Sequence, residues 1–189
     1  WMLPAQREDL LELGPLAEHL RTNFSEIIVL GTGGSSLSGR ALVALTKGQS
    51  DSNGAGRVRF CDNLDSHSFE LLLNDVDYER TAFLVISKSG STVETVTQML
   101  VCMEAVAHQV SSDIGHQFIA VTEPSDNVLR RIASRHSIAT LDHDPDVGGR
   151  FSALSLVGLL PALMLGLNAD AVRRGARAVL ENTLQKADC

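Results

Sequence analysis

Two short stretches concentrate the polar chemistry of this chain. The first is Ser87-Lys88-Ser89-Gly90-Ser91-Thr92, running on into Val93-Glu94-Thr95. It gathers hydroxyls at Ser87, Ser89, Ser91, Thr92 and Thr95 around a single lysine, after the apolar run Phe83 to Ile86 and before a helical pattern. Hydroxyls and backbone N–H groups each donate to an oxyanion, and a donor set this dense suits the three terminal oxygens of a phosphate monoester better than a carboxylate. An alternative reading makes Ser91 and Glu94 a capping box and gives the remaining hydroxyls only a turn to serve. The second stretch, Gly31-Thr32-Gly33-Gly34-Ser35-Ser36, follows Ile27 to Leu30 and opens another helical pattern at Leu37. Glycines there let the main chain approach a ligand, and a new helix offers unpaired N–H groups to an anion.

A third element, Val147-Gly148-Gly149-Arg150-Phe151-Ser152, precedes a long apolar segment. Arg150 is a permanent cation, suited to stabilising negative charge that develops on a substrate oxygen. Other chemistries are disfavoured by spacing. Ser36 replaces the third glycine of a dinucleotide fingerprint, and Arg40-Ala41 stands where a P-loop needs Lys-Ser/Thr. No GxSxG nucleophile elbow occurs. A nucleotide reading rests only on Gly31 and on Asp62 after the second apolar run. The six histidines show no ligand spacing, and His67, His108, His116 and His136 read as solvent-facing residues.

Five apolar runs rich in branched residues have the length of strands buried on both faces: 27–30, 58–61, 83–86, 118–121 and 138–141. Helical patterns lie between them, at 37–47, 68–74, 92–110 and 127–135. Such alternation predicts an α/β fold, a three-layer αβα sandwich around a five-stranded parallel sheet. A leading helix is expected over 6–20, broken near Gly14-Pro15, and two more over 152–167 and 170–186. Residues 1–25 then form an N-terminal helical segment, 26–146 the α/β core, and 147–189 the Gly-Gly-Arg loop with C-terminal helices. The small, polar stretch 48–56 reads as a flexible surface loop. Asp142 to Asp146 reads as a solvated turn, because its glycine falls at Gly148 and Ala153 stands where a calcium loop has its last ligand.

The chain has 189 residues, a formal net charge of −7 and 4% aromatic content, which argues against an overall field or stacking platform for nucleic acid. Cys61, Cys102 and Cys189 show neither a paired framework nor metal spacing, so no disulfide, metal or cofactor is expected and a reducing, cytoplasmic setting fits. The uncharged stretch 151–168 falls short of the roughly 20 apolar residues that span a bilayer. It reads as a buried helix whose apolar circumference needs cover, hence an expected homodimer. Early charges at Arg7, Glu8 and Asp9 exclude a signal peptide, and Trp1 as first residue reads as the start of a piece cut from a longer chain.

Taken together, Gly31 to Leu37, Ser87 to Thr95 and Val147 to Ser152 resemble the successive signatures of the sugar-isomerase (SIS) domain of the phosphoglucose isomerase family, across about Ile27 to Leu167. The resemblance implies a flavodoxin-like SIS fold and, for the family, glycolytic and gluconeogenic interconversion of glucose 6-phosphate and fructose 6-phosphate through a metal-free enediol. It implies that Ser87, Ser89, Thr92 and Thr95 hold the sugar phosphate, helped by main-chain groups of Lys88. Gly33, Gly34 and Ser35 would line the sugar side, and Arg150 would stabilise the enediolate. The sequence departs from the family in Thr32 for an aliphatic residue, Ser38-Gly39 for Gly-Pro and Ser91 for threonine.

In the family the proton-moving glutamate and the ring-opening histidine and lysine come from the second SIS domain and the C-terminal segment, which the chain does not reach. The isolated segment is therefore expected to bind a phosphorylated hexose without isomerising it. Glu94, if turned toward the backbone as a cap, would be a poor substitute base. A non-catalytic phosphosugar-sensing module is the competing class, needing the same phosphate turn but neither Arg150 nor a second domain.

Overall fold

The computed structural model describes residues 4, 8–46, 56–110 and 113–187. Five parallel strands, β1 (Glu26–Leu30), β2 (Arg57–Cys61), β3 (Thr81–Ile86), β4 (Phe118–Thr122) and β5 (Ala139–Asp142), form one sheet in the order β2-β1-β3-β4-β5. This is the flavodoxin-like order, in which the chain leaves β1 toward one sheet edge and returns to its other side through β3. All residues of β1, β3 and β4 are buried, as near-continuous apolar runs covered on both faces require. The expected loop 48–56 lies almost wholly outside the described residues, as do Lys47, Trp1 and Cys189.

Alternation along each strand divides the core in two. Ile27, Val29, Leu84, Ile86 and Val121 face α1 (Glu8–Asn23) and the later helix Leu156–Leu163. Ile28, Leu30, Phe83, Val85 and Ala120 face the helices on the other side, above all Val93–Gln109 and Val128–Arg135. In chain order the helices after α1 are α2 (Gly34–Thr46), α3 (Ser66–Asn74), α4 (Val93–Gln109), α5 (Val128–Arg135), α6 (Leu156–Leu163) and α7 (Ala169–Ala187). The predicted three-layer αβα arrangement is thus observed. Phe83 and Phe118, paired across β3 and β4, stack with centroids 4.8 Å apart, worth about 1 kcal/mol beyond the area they bury.

Two helices differ from the sequence expectation. The first runs unbroken through Pro15, because Leu13, Ala17 and Leu20 anchor it to the core on both sides while Pro15 faces solvent. There the carbonyl that loses its intrahelical donor can be hydrated. The expected helix over 152–167 is instead a 3₁₀ segment, Gly149–Leu154, followed by the short α6. Ser155 forces this division: it adopts an extended conformation, its Oγ accepts from Val157 N at 3.3 Å, and it donates to Ser152 O at 2.8 Å. Residues 157–162 are buried throughout, as expected of an apolar circumference. Among the described residues no helix is long and apolar enough to cross a membrane.

Candidate functional site

Pairing of Leu30 with Val85 brings the loops after β1 and β3 out of the sheet side by side, at its carboxyl edge. That is the topological switch point, where open α/β sheets bind their ligands. An open cleft of about 360 Å³ lies there, lined by Thr32, Gly34, Ser35, Lys88, Ser89, Thr92, Glu123 and Gly149. All three stretches singled out in the sequence therefore contribute to one cavity.

The Ser87–Thr92 turn is shaped by its own hydroxyls. Ser87 is 1% exposed, and its Oγ donates to Thr92 Oγ1 at 3.0 Å. Gly90 N donates to Ser87 O at 3.0 Å, while Ser91 N and Oγ both donate to Ser89 Oγ, at 3.3 and 3.2 Å. Gly90 takes φ +63 and packs so closely on Asn127 that a Cβ would lie 1.9 Å from its Oδ1. Only glycine combines that conformation with that contact. Asn127 in turn caps α5, its Oδ1 accepting from Arg130 N at 2.9 Å. The turn is thus fastened to β4 and α5 before any ligand arrives.

Thr92 is the N-cap residue of α4 but makes no side-chain cap bond; its hydroxyl accepts from Ser87 Oγ instead. The Ser91–Glu94 capping box does not form, and Glu94 is exposed. Its carboxylate is not turned to the backbone, which removes the reason the cap gave for discounting it. The first N–H groups of this 17-residue helix are left for water or an anion, with the positive end of the helix dipole behind them.

The first loop supplies the opposite wall. Gly33 has φ +55, and Gly34 opens α2 against the carbonyl of Gly149. Ser38 and Ser152 fix this meeting from beneath, with buried Oγ atoms 3.0 Å apart, and Ser152 Oγ donates to Gly149 O at 2.7 Å. Gly149 reaches the cleft; Arg150, one residue on, is exposed at its margin and makes no ion pair among the described residues. Gly33 and Ser87 flank the lining residues without lining the cleft themselves.

Thr95 stands apart from the other hydroxyls. It is 0% exposed and its Oγ1 has no hydrogen-bond partner, as is also true of Ser36 in the first turn of α2. Neither lines the cleft. Asp62, on which a nucleotide reading would rest, is occupied by an ion pair with Arg40. His67, His108, His116 and His136 are exposed, as expected, whereas His143 in the polar loop after β5 is buried and its main-chain N donates to Thr122 O at 2.8 Å. Sequence reasoning missed Glu123. An acidic residue following a strand carries no signal until the sheet order places it beside the phosphate turn.

Burial pushes the Cys61 thiol up to about 11, helped by the charge of Asp62, and raises that of the more deeply buried Cys102 further. Both are free cysteines, protonated near neutrality.

Comparison with known proteins extends these observations over most of the sequence. The phosphoglucose isomerase family matches residues 11–187. A glucose-6-phosphate isomerase of Rubrobacter xylanophilus is 37% identical over 186 residues, covering 95% of this chain and 43% of that protein. The crystal structure of a hypothetical protein from Thermus thermophilus superposes with a TM-score of 0.87 at 32% identity, over 97% of this chain and 43% of the other. A glucose-6-phosphate isomerase structure from Chlamydia trachomatis gives 0.72 at 31% identity, over 83% and 29%. The chain spans less than half the length of the curated relatives it matches. With almost every residue of the sheet and its helices inside the matched span, the chain belongs to the phosphoglucose isomerase family.

Proposed function

We propose that this chain is the phosphosugar-binding SIS domain of an aldose–ketose isomerase that interconverts glucose 6-phosphate and fructose 6-phosphate. The observation that carries the reading is the convergence of the hydroxyl turn, the Gly33-Gly34-Ser35 loop and Gly149 on one cleft at the switch point of the sheet. Ser87, Ser89 and Thr92, with the main-chain N–H of Lys88 and the uncapped start of α4, hold the phosphate. Gly33, Gly34 and Ser35 border the sugar, and Arg150 faces the oxygens that gain negative charge as the enediolate forms. The names of the similar proteins, glucose-6-phosphate isomerases, support this choice of substrate.

Transfer of a proton between C1 and C2 needs a base poised at the sugar. The family resemblance implies that this base and the ring-opening groups belong to a second SIS domain and a C-terminal segment, and in support the chain spans less than half the length of its curated relatives. The isolated chain accordingly binds phosphosugar without turning it over. A homodimer and a cytoplasmic setting go with this reading; among the described residues Cys61 and Cys102 are free, which is compatible with a reducing compartment. A sensing module would use the same phosphate turn but would need neither Arg150 nor a second domain; Gly149 in the cleft wall, with Arg150 following it at the margin, favours the isomerase.

The test is titration of the ¹⁵N-labelled chain with 6-phosphogluconate, fructose 6-phosphate and unphosphorylated fructose, beside a coupled isomerase assay. Amides from Ser87 to Thr95 and from Gly31 to Ser36 should shift with the phosphorylated ligands and not with fructose. A hexose phosphate perturbing some other surface, with this turn silent, removes the assignment. Measurable turnover by the purified chain overturns its restriction to binding.

A further inference from the structure

Lys88 is the one lysine of the phosphate turn, and the simplest expectation for its ammonium is direct contact with the phosphate. Its side-chain partners lie elsewhere. Nζ donates to the carbonyl of Pro145 at 2.7 Å and stands 3.5 Å from Glu123 Oε1. Lysine and glutamate are 29% and 27% exposed, so the pair is largely shielded yet open to the cleft that both line.

Glu123 is otherwise out of place. A carboxylate in the wall of an anion cleft repels the ligand unless a cation neutralises it. Lys88 supplies that cation, and the backbone reinforces the pairing: Glu123 N and Thr122 Oγ1 both donate to Lys88 O, at 3.0 and 3.2 Å. The end of β4 therefore holds both the main chain and the side chain of Lys88.

Pro145 belongs to the loop that leads from β5 to Gly148-Gly149-Arg150. Within 144–148 the other hydrogen bonds are local: Asp146 N and Val147 N return to Asp144, and Phe151 N donates to Gly148 O. Among the described residues, Lys88 is the hydrogen-bond partner this segment has outside 143–151.

We propose that the Lys88 side chain is a positioning residue: steadied by Glu123 and seated on the Pro145 carbonyl, its ammonium ties the phosphate turn to the loop that presents Arg150. The phosphate then meets Lys88 only through its main chain, and the strut sets the distance between the phosphate end and the enediolate end of the bound sugar. This rests on the phosphosugar reading above for its ligand, but the tie itself exists without one.

The test compares Lys88→Met, Lys88→Arg and Glu123→Gln with the parent chain. Without ligand, amide exchange at Asp144 and from Asp146 to Phe151 should speed up in Lys88→Met and be restored in Lys88→Arg, which keeps a cation able to reach both partners. With ligand, Lys88→Met should bind 5-phosphoarabinonate, an enediolate mimic, about tenfold more weakly, because a displaced charge no longer meets it. Inorganic phosphate, which does not reach Arg150, should change by less than about threefold, the scale of one partly exposed ion pair. Glu123→Gln should follow the same pattern more weakly. Equal, large losses for both ligands make the ammonium a direct phosphate ligand and overturn the proposal. So does unchanged exchange in the loop. If the parent chain binds 5-phosphoarabinonate away from Ser87–Thr92, the phosphosugar reading fails, while the ligand-free exchange measurement still decides the strut.

Discussion

Gly34 and Gly149 meet backbone to backbone: a Cβ on Gly34 would stand 2.1 Å from the Gly149 carbonyl oxygen and 2.4 Å from its carbon. The first loop and the Gly-Gly-Arg loop, far apart in sequence, therefore share one wall of the cleft only because position 34 has no side chain. The obstacle is main chain, so it cannot be relieved by a rotamer change.

Gly34→Ala should consequently cost about 3 kcal/mol, the upper end for overpacking a close contact, and weaken binding of 6-phosphogluconate as the two loops part. Gly33→Ala is the control. That residue also lies next to the cleft and has φ +55, but nothing stands within 4 Å of an added Cβ, so only about 1 kcal/mol of backbone strain is expected. Urea denaturation of both variants decides the matter, and equal midpoints for the two would refute the contact.

Ser87 illustrates a site residue whose removal should affect binding more than folding. Its Oγ donates to Thr92 Oγ1, a neutral bond worth about 1 kcal/mol. On the phosphosugar reading the Ser87 hydroxyl turns its single hydrogen from Thr92 Oγ1 to the phosphate, so Ser87→Ala should lower affinity for hexose phosphates by about 10- to 100-fold while costing only the native bond, about 1 kcal/mol, in stability. Isothermal titration beside a melting curve separates the two effects. Retained affinity would remove Ser87 from the ligand set.

The layers of the fold were legible because β1, β3 and β4 are buried on both faces, and full burial writes itself as unbroken apolar runs such as Ile27 to Leu30 and Phe83 to Ile86. Local chemistry was read less well where a tertiary contact competed. Pro15 ordinarily breaks a helix, yet Leu13, Ala17 and Leu20 hold this one together. Ser91 and Glu94 have the spacing of a capping box, but α4 takes Thr92 as its N-cap, one residue later, and the Ser91 hydroxyl donates to Ser89 Oγ instead. Glu123 was invisible for a different reason: its role depends on β4 lying next to β3, which is a property of strand order rather than of any local pattern.

Cys61 offers a pH-dependent probe of the face under α3 and α4. With its thiol raised from an ordinary 9.0 to about 11, the thiolate fraction at pH 8 falls from about one in ten to about one in a thousand. Alkylation of Cys61, followed by peptide mass spectrometry, should be about 100-fold slower than for an unhindered thiol and should rise with a midpoint near pH 11. The unfolded chain loses this proton first, so between about pH 9 and 11 the native state binds the extra proton and stability declines as pH rises through that window. A midpoint near pH 9 in the folded protein would show that the thiol is not shielded.

Thr95 is the sharpest test of how far the phosphate turn extends. The family resemblance groups it with Ser87, Ser89 and Thr92, whereas its Oγ1 lies 0% exposed, outside the cleft and without a hydrogen-bond partner. A buried hydroxyl that makes no bond has forfeited its hydration, so an apolar isostere should be neutral or stabilising by up to about 1 kcal/mol. Thr95→Val keeps the volume and the β-branch and removes only the hydroxyl's capacity to bond. We expect its melting temperature to hold or rise and its affinity for 6-phosphogluconate to stay within about threefold of the parent, since no charge-assisted bond worth about 1.5 kcal/mol or more is lost. A loss of about tenfold or more at unchanged stability requires that the first turn of α4 opens when phosphate binds and that Thr95 joins Ser87, Ser89 and Thr92 as a ligand. Thr95→Ser discriminates further. It restores the hydroxyl but leaves a methyl-sized void, so recovered affinity with lowered stability assigns the effect to the oxygen, and lowered stability alone assigns it to packing.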